Sequence, residues 1–262
     1  MTAGPPSRPR TVAIIQARMS SSRLPGKVLM PIAGRPAILF MWERVRRARN
    51  IDAICVATSV DRSDDALAGC VEQAGIAVCR GSLDDVLDRF VSAARAHEAE
   101  TVIRLTGDCP LIDADVIDRV VGLVHAGFDY ASNIDPPTYP DGLDVEAMSI
   151  AALESAGAEA RLGSEREHVT PFIRNRPERF RAGKVASSVD LSAMRWTVDY
   201  PDDFVQVRAL TDGVGGDPVE ADRFDFLRVH EALGRSANAS HARNEGLAAS
   251  LARDALQPPP AR

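Results

Sequence analysis

Short apolar runs alternate with longer stretches of helical periodicity over the first 127 residues of the chain. The runs are apolar at nearly every position, which predicts buried strands over residues 11–17, 52–59, 76–81 and 101–108. The stretches between them predict helices over residues 35–48, 63–75, 82–99 and 113–127. Alternating strands and helices favour an α/β fold, in which a mostly parallel sheet has helices on both faces. Pro36 is expected in the first turn of its helix, and Ser63 and Ser82 as N-caps of theirs.

The second half of the chain has a less regular pattern. Residues 128–190 are interpreted as a small antiparallel or irregular insert that contains one or two helices. Residues 194–210 predict a strand followed by a helix, and residues 222–233 predict the last packed helix. The pattern therefore predicts a flexible N terminus over residues 1–10 and one domain over residues 11–233. Residues 234–262 are predicted to form a partly disordered tail, with a frayed helix and a disordered end.

Composition and charge exclude several classes of protein. The chain has 262 residues, of which 45% are hydrophobic and 26% charged, as in ordinary globular proteins. Its net charge of −6 does not suggest a surface for nucleic acid or for an anionic membrane. No apolar run approaches the roughly 20 residues of a membrane span, and the first ten residues lack the apolar core of a signal peptide. We therefore expect a cytoplasmic protein without a nucleic-acid or membrane partner.

The cysteines do not form a recognisable motif. The four of them, Cys55, Cys70, Cys79 and Cys109, include no C-x-x-C pair. Neither a zinc site nor a disulfide framework is predicted from this spacing. Cys55 and Cys79 lie in apolar, strand-like runs, where a small buried thiol is the usual interpretation.

The loop after the first predicted strand is basic, although the chain as a whole is acidic. It reads "QARMSSSRLPGK" and contains Arg18, Arg23 and Lys27 but no acid. In an open α/β sheet this loop lies at the carboxyl edge, where ligands bind. Cations, hydroxyls and backbone N–H groups are what a polyphosphate requires, so we interpret the loop as an anion site. A solvated basic loop is the alternative, and neither G-x-x-x-x-G-K-[ST] nor G-x-G-x-x-G is present.

Two aspartates are predicted at the same edge of the sheet. Asp108 ends a strand in "RLTGDCP", and Asp199 ends another in "RWTVDYP". Mg²⁺ binds carboxylate oxygens and keeps water and phosphate oxygens as its other ligands, so the two residues are candidate metal ligands. Helix capping is the alternative for Asp108, but Asp113 already has the position of the cap.

Six motifs, in order over residues 11–212, resemble one family of enzymes. They are "QARMSSSRLPGKVL", "VATS", "RGSLDDVLDRF", "RLTGDCPLID", "YPDGLDVE" with "EREHVTPFI", and "WTVDYPDDF". Together they resemble the sugar cytidylyltransferases, which include the enzymes that make CMP-Kdo and CMP-sialic acid, and especially the spore-coat polysaccharide type. The resemblance implies a three-layer, Rossmann-like nucleotide-diphospho-sugar transferase fold, CTP as substrate, Mg²⁺ as cofactor and a homodimer.

The implied reaction is transfer of CMP from CTP to an acidic or amino sugar, with release of pyrophosphate, in the synthesis of a surface polysaccharide or glycan. In the resembled CMP-Kdo synthetases the aspartates of the matching "GD" and "VD" motifs hold magnesium, which assigns Asp108 and Asp199 as metal ligands. The expected catalytic residues are Arg18, Arg23, Lys27 and Asp108, with the cations on the β- and γ-phosphates. The expected nucleotide-binding residues are Gln16, Ala17, Arg18, Ser22, Arg23, Lys27, Arg80, Ser82, Thr106 and Gly107. A surface salt bridge is the alternative for Arg80, and a plain N-cap for Ser82.

The sugar is expected to bind in the irregular region, at Asp141, Asp144, Glu146 and His168. Asp144 and Glu146 alternate along an expected strand, so they face one way. His168 either binds substrate or lies at a dimer contact. The motif "TGDCPLI" differs from the "QGDEP" of the CMP-Kdo enzymes, which leaves the identity of the sugar open.

Three other functions are left open by the sequence. A glycosyltransferase often uses a D-x-D motif, and Asp113-Ala114-Asp115 has that spacing, although it opens a helix and capping explains it better. A nucleotidyltransferase that uses another nucleoside triphosphate is the closest alternative, because the loop contacts phosphates rather than the base. A binding protein on a decayed enzyme scaffold is the third, and the retained loop and aspartates argue against it.

Overall fold

The computed structural model of the chain describes residues 8–234 and 245–255. The strands in this part are β1 (Thr11–Gln16), β2 (Pro31–Ile32), β3 (Arg35–Pro36), β4 (Ala53–Ser59), β5 (Ala77–Gly81), β6 (Thr101–Thr106), β7 (Tyr130–Ser132), β8 (Glu146–Ser149) and β9 (Ala182–Lys184). The helices are α1 (Ala37–Val45), α2 (Asp65–Gln73), α3 (Val86–Ala96), α4 (Ala114–His125), α5 (Ile150–Glu159), α6 (Gly163–His168), α7 (Pro171–Arg174), α8 (Pro201–Gly213), α9 (Arg223–Leu233) and α10 (Glu245–Ala255). Short 3₁₀ helices span Lys27–Leu29 and Arg62–Asp64.

Seven of these strands form one central sheet, in the order β5-β4-β1-β6-β8-β7-β9. β5, β4, β1 and β6 are parallel, whereas β8 runs antiparallel to both β6 and β7. β9 is parallel to β7, and β2 and β3 pair separately. The predicted α/β fold with a mostly parallel sheet is confirmed.

The strands alternate their side chains between two cores, one on each face of the sheet. Ala13 and Ile15 of β1 lie in a core with α1 and α4. Val12 and Ile14 lie in a second core with α3, α5 and α7. This alternation follows from the two-residue period of a strand. The result is the three-layer, Rossmann-like arrangement that the resemblance implies.

The order of the sheet reverses at β1, and this reversal creates a crevice. The chain moves outward from β1 to β4 and β5 and then returns to β6 on the other side of β1. The loops that leave β1 and β6 touch here, because the N–H of Gly107 donates to the carbonyl of Gln16 (2.8 Å). A Cβ at position 107 would lie 3.0 Å from the Cβ of Ala17, so glycine allows this approach. Ligands of open α/β sheets bind in such a crevice.

The predicted strand ahead of Asp199 is wrong. In this segment Arg195 makes one isolated bridge, to Asp141, and the other residues are irregular. The backbone is still held at the carboxyl edge, because the N–H of Val198 donates to the carbonyl of Asp108 (2.7 Å). Asp199 is therefore positioned by single hydrogen bonds of this segment and not by the repeated hydrogen bonds of a strand in the sheet.

The first three helices begin later than predicted. Pro36 belongs to β3 and is the N-cap of α1, and Ser63 lies in the 3₁₀ helix ahead of α2. Ser82 does not cap α3, because Asp85 takes that position and its carboxylate accepts the N–H of Asp88 (2.9 Å). The first residue of each of these helices is therefore set by local contacts that the periodic pattern does not show.

The insert and the chain ends complete the fold. Residues 128–190 contribute β7, β8 and β9, which extend the sheet, together with α5, α6 and α7. Most of the predicted flexible N terminus lies outside the described residues, and Arg8 at its end pairs with Asp52 (2.7 Å). Of the predicted tail, residues 235–244 and 256–262 also lie outside them, whereas α10 packs on α6.

Within 8–234 and 245–255, no helix has the length and apolar character needed to cross a bilayer.

Candidate active site

A cleft of about 620 Å³ lies at the carboxyl edge of the sheet. All but two of the residues that the sequence assigns to the site line this cleft: Gln16, Ala17, Arg18, Ser22, Arg23, Lys27, Thr106, Gly107, Asp108, Asp141, Asp144, Glu146, His168 and Asp199. The exceptions are Arg80 and Ser82. The fold therefore brings together residues that lie far apart in the sequence.

The basic loop after β1 is closed on itself and fastened to the neighbouring strand. The N–H of Gly26 donates to the carbonyl of Met19 (3.0 Å), and Gly26 has a positive φ of 72°, which favours glycine. The buried carboxylate of Asp64 accepts the N–H of Met19 (2.6 Å) and the N–H of Ser59 at the end of β4 (3.1 Å). Asp64 therefore positions the loop, a role that the sequence did not reveal. Arg18 remains exposed at the cleft.

Lys27 joins the two aspartates that the sequence assigns to a metal. Its ammonium lies 2.7 Å from Oδ1 of Asp199 and 3.3 Å from Oδ2 of Asp108. Only 8% of Lys27 is exposed.

Burial by itself lowers the pKa of Lys27, but the charges of Asp108 and Asp199 outweigh this effect and the pKa is raised. Burial likewise opposes ionisation of Asp108, yet Lys27 and the Thr106 hydroxyl lower its pKa to about 2. Lys27 and Asp108 are therefore both charged at neutral pH.

Two arginines extend this charged cluster. A guanidinium nitrogen of Arg23 lies 2.9 Å from Oδ2 of Asp199. Arg195, which is 5% exposed, donates to Asp141 (2.7 Å) and Asp203 (2.8 Å), and it approaches Asp199 (3.5 Å). Arg195 is a site residue that sequence reasoning missed, because the predicted strand was expected to place Asp199 by itself. Its contacts to the three carboxylates hold two of them, Asp141 and Asp199, at one side of the cleft.

The structure does not bring Arg80 or Ser82 to the cleft. Arg80 donates to the carbonyl of Ser59 (2.8 Å) and to the carboxylate of Asp65 (2.7 Å), on the outer edge of the sheet. The arginine that reaches the cleft from the same motif is Arg89 on α3. Its Nη1 donates to the Ser82 carbonyl (2.8 Å), while its buried Nε has no hydrogen-bond partner in the described structure.

Arg89 has the electrostatics of an anion-binding group. It is 3% exposed, and burial lowers the pKa of its guanidinium. Asp64 partly offsets this effect, whereas the charge of Arg18 adds to it. A buried cation next to a second cation is costly unless an anion pairs with it.

Glu146, expected at the sugar, is a buried member of a hydrogen-bonded chain. It pairs with Arg104, and the hydroxyl of Tyr130 donates to it (2.6 Å). Arg104 also donates to the side chain of Gln16 (3.1 Å). The Thr170 hydroxyl also binds Glu146, which therefore connects the insert to the end of β1 through a carboxylate that already has protein partners.

The far wall of the cleft is built by α6 and α10. Ser250 and Arg253 of α10 bind the carboxylate of Glu167 (2.9 and 2.8 Å). Asp254 accepts the N–H of Ser164 at the start of α6 (2.9 Å). All three residues of α10 line the cleft, although the sequence predicted a partly disordered tail in this region. This segment is rich in Ala, and its composition gave no signal of a functional helix.

His168 ends α6 at a strained turn. Its carbonyl accepts the N–H of Thr170 (2.8 Å) across Val169, which has φ 69° and ψ −55°. This γ-turn is unusual for a β-branched residue and costs on the order of 1–3 kcal/mol. Nε2 of His168 is buried without a hydrogen-bond partner in the described structure, and burial lowers the pKa of the imidazole. A neutral, unsatisfied imidazole at the cleft is suited to bind a hydroxyl group.

The D-x-D alternative is not supported by the geometry. Asp113 is the N-cap of α4 and accepts the N–H of Val116 (3.1 Å). Asp113 and Asp115 both pair with Arg223 (3.0 and 2.9 Å), and neither lines the cleft. Capping accounts for this motif.

Asp108 and Asp199 have the donor set and placement that a divalent metal requires. Both carboxylates point to one position at the edge of the sheet, where the Lys27 ammonium now binds them. Oxygen donors of this kind suit Mg²⁺, which takes its remaining ligands from water and phosphate. The residues therefore fit the metal that the sequence predicts.

The sheet topology and this cleft together define a nucleotide-binding enzyme of the Rossmann-like α/β class. A model of one protein family, described as "Cytidylyltransferase", matches residues 12–210. The chain belongs to this cytidylyltransferase family. The predicted enzyme class, a nucleotidyltransferase that uses CTP, is confirmed by this match.

Individual relatives agree with the family match. The chain is 35% identical over 213 residues to the spore coat polysaccharide biosynthesis protein SpsF of Bacillus subtilis, covering 78% of this chain and 88% of that protein. It is 40% identical over 126 residues to a 3-deoxy-manno-octulosonate cytidylyltransferase of Anaeromyxobacter, covering 47% of this chain and 50% of that one. The solved structure of a cytidylyltransferase from Leptospira borgpetersenii superposes with a TM-score of 0.83 at 28% identity, covering 89% of this chain and 99% of that chain.

Proposed function

We propose that the protein transfers CMP from CTP to a hydroxyl group of an acidic or amino sugar and releases pyrophosphate. The observation that carries this proposal is the shared contact of Lys27 with Asp108 and Asp199, beside the basic loop. The similarity to a spore coat polysaccharide biosynthesis protein and to a 3-deoxy-manno-octulosonate cytidylyltransferase supports a sugar acceptor. A homodimer and a cytoplasmic location stay predictions.

The catalytic roles follow from the positions of the charges. Asp108 and Asp199 would hold Mg²⁺, which would supply positive charge to the phosphates of CTP. Arg18, Arg23 and Lys27 bind the β- and γ-phosphates and stabilise the negative charge that leaves with pyrophosphate. Because the loop is already closed, its backbone needs little reorganisation when CTP binds, whereas the side chains of Arg23 and Lys27 must turn from the aspartates to the phosphates.

The nucleoside is assigned to the crevice between β1 and β6. Gln16, Ala17, Thr106 and Gly107 offer backbone and side-chain groups at this position, and Ser22 offers a hydroxyl from the loop. We assign to Arg89 the nucleotide contact that the sequence had suggested for Arg80, because Arg89 lines the cleft and has a free buried Nε.

The acceptor sugar is assigned to the wall formed by α10 and by the insert, which includes α6. Asp141, Asp144 and His168 face the cleft there, and Arg253 extends over it from α10. Carboxylates and a neutral imidazole accept hydrogen bonds from sugar hydroxyl or amino groups, and Arg253 can pair with a sugar carboxylate.

A pyrophosphate-release assay tests the proposed function. The purified protein, with Mg²⁺, is given each of the four ribonucleoside triphosphates against a panel of nonulosonic, octulosonic and amino sugars. We expect pyrophosphate with CTP and at least one sugar, and the matching CMP-sugar by mass spectrometry. Release with another triphosphate but not with CTP would contradict the proposal.

Replacing His168 by Ala should weaken sugar binding and leave CTP binding intact. Losing one hydrogen bond to a neutral group costs about 0.5–1.5 kcal/mol, so KM for the sugar should rise about 2- to 10-fold. KM for CTP should stay within about twofold, because His168 is not among the residues assigned to the nucleotide. The measurement is steady-state kinetics with each substrate varied.

Arg253→Ala tests the wall formed by α10 in the same assay, with Arg228→Ala as its matched control. Arg228 is an exposed arginine of α9 that does not line the cleft. Arg253→Ala should raise KM for an acidic sugar, and Arg228→Ala should not. Equal effects of the two variants, or a rise in KM for CTP alone, would contradict the assignment of this wall to the sugar.

A further inference from the structure

Three metal-ligating side chains meet at a place that the proposed reaction does not use. They are Cys55 on β4, Cys79 on β5 and His97, directly after α3. Their Sγ, Sγ and ring-nitrogen atoms all lie within 4.8 Å of one another. In the part of the chain that the structure describes, this is the one group of three or more Cys, His, Asp or Glu side chains placed so closely.

The strand register explains why the two thiols meet. Cys55 pairs with Ala77, and Cys79 pairs with Ala57, so the cysteines are two residues out of step on neighbouring parallel strands. Because side chains alternate with a period of two, both thiols point to the same face of the sheet. That face is covered by α3, and His97 is the C-cap residue of α3.

The position of His97 is fixed by contacts outside the cluster. Its carbonyl accepts the guanidinium Nε of Arg10 (2.7 Å), which ties the end of α3 to the start of β1. Its Nε2 lies 3.6 Å from Sγ of Cys79. The imidazole therefore faces the thiols in a defined orientation.

The separations match those of a zinc site. In a tetrahedral site with Zn–S of about 2.3 Å and Zn–N of about 2.0–2.1 Å, bound sulfur and nitrogen are about 3.6 Å apart, and two sulfurs are about 3.8 Å apart. The S···N distance between Cys79 and His97 is 3.6 Å, and all three ligand atoms lie within 4.8 Å of one another. Two thiolates and one imidazole prefer Zn²⁺ to Mg²⁺, which prefers oxygen donors.

We propose that Cys55, Cys79 and His97 bind a zinc ion, with water as the fourth ligand. Cys55 is fully buried, whereas Cys79 and His97 are partly exposed, so the ion has a path of entry and a side open to solvent. The ion links β5, which is the edge strand of the sheet, to the end of α3. The opposite end of α3 supplies Val86 and Arg89 to the cleft. The zinc ion thereby stabilises the helix that presents Arg89.

Cobalt titration tests this site directly. The reduced, chelator-treated full chain is titrated with Co²⁺ in millimolar Mg²⁺, which occupies the oxygen-donor site. We expect one equivalent of Co²⁺ per chain with thiolate-to-cobalt charge-transfer absorption and tetrahedral d–d bands, and displacement by Zn²⁺. Cys79→Ser and His97→Ala should each weaken Zn²⁺ binding by at least about 100-fold, since losing a group that only orients a ligand already costs about 10–100-fold.

The matched control is Cys70→Ala, which removes a partly exposed thiol of α2 that lies outside the cluster. It should leave the titration unchanged. Circular dichroism identifies a variant that fails to fold, and zinc protection of Cys79 from alkylation in the wild-type chain is an independent measurement. Absence of the charge-transfer band in the wild-type chain, or an unchanged titration in folded Cys79→Ser, would overturn the proposal. A weak S–H···N hydrogen bond would then account for the 3.6 Å contact.

Discussion

Replacing Asp108 by Asn is expected to lower the rate of CMP transfer at least about a thousandfold, which corresponds to roughly 4 kcal/mol of transition-state stabilisation. The Asp108 carboxylate is ionised at any working pH, because its pKa is lowered to about 2. An amide of the same shape cannot supply the negative oxygen that Mg²⁺ requires. The main-chain contacts of this residue to Thr197 and Val198 are kept, so the fold should be retained. The measurement is kcat from pyrophosphate release, with circular dichroism on the same sample.

The matched control for this variant is Asp115→Asn. Asp115 is an exposed aspartate that pairs with Arg223 and does not line the cleft. The Asp115→Asn variant should keep nearly full activity. It would lose activity if Asp113 and Asp115 formed a D-x-D metal site. If Asp108→Asn retained more than about a tenth of the wild-type rate, the metal role of Asp108 would be wrong.

Replacing Lys27 by Met should weaken CTP binding about 10- to 100-fold, as expected for loss of a hydrogen bond to a charged group. Binding of CMP should change much less, because CMP lacks the β- and γ-phosphates that Lys27 is proposed to contact. Isothermal titration with both nucleotides, in the presence of Mg²⁺, gives the comparison. An equal loss of affinity for CTP and CMP would contradict the assigned role.

The same variant should also make thermal stability depend on the metal. Without Lys27, the carboxylates of Asp108 and Asp199 lose the cation that they share, and their mutual repulsion lowers the free energy of unfolding. Millimolar Mg²⁺ should restore much of the lost Tm, because it replaces the missing charge. Lys184→Met, at the chain's other lysine, is the control, since Lys184 is exposed and has one weak contact, to Asp135 (3.4 Å). A Tm of Lys27→Met that does not respond to Mg²⁺ would argue against a metal site at this position.

Sequence patterns predicted the central part of the fold well for a physical reason. β1, β4 and β6 are largely buried, so most of their residues are apolar at consecutive positions and can be recognised locally, whereas β5, at the edge of the sheet, is partly exposed. The basic loop and Asp108 directly follow such strands, and their place at the ligand edge follows from the topology alone. The segment before Asp199 misled the prediction because it has the composition of a strand but is held by one bridge and by single hydrogen bonds.

The choice between two arginines of one motif depended on packing. Arg80 and Arg89 are nine residues apart, and either has the chemistry to contact a nucleotide. The edge position of β5 turns Arg80 towards Ser59 and Asp65, while the packing of α3 buries Arg89 at the cleft. No local pattern contains this information, because it depends on which face of each element is covered.

By itself, the sequence determined the α/β class, the order of β1, β4, β5 and β6 along the chain, the cationic loop and the family, since each is encoded in neighbouring residues. The tertiary structure alone decided that α10 closes the cleft, that Asp64 and Arg195 position the charged groups, and that Cys55, Cys79 and His97 meet. These relations join residues far apart in the chain, and they arise only when burial of the two cores sets the register of the strands and the position of each helix.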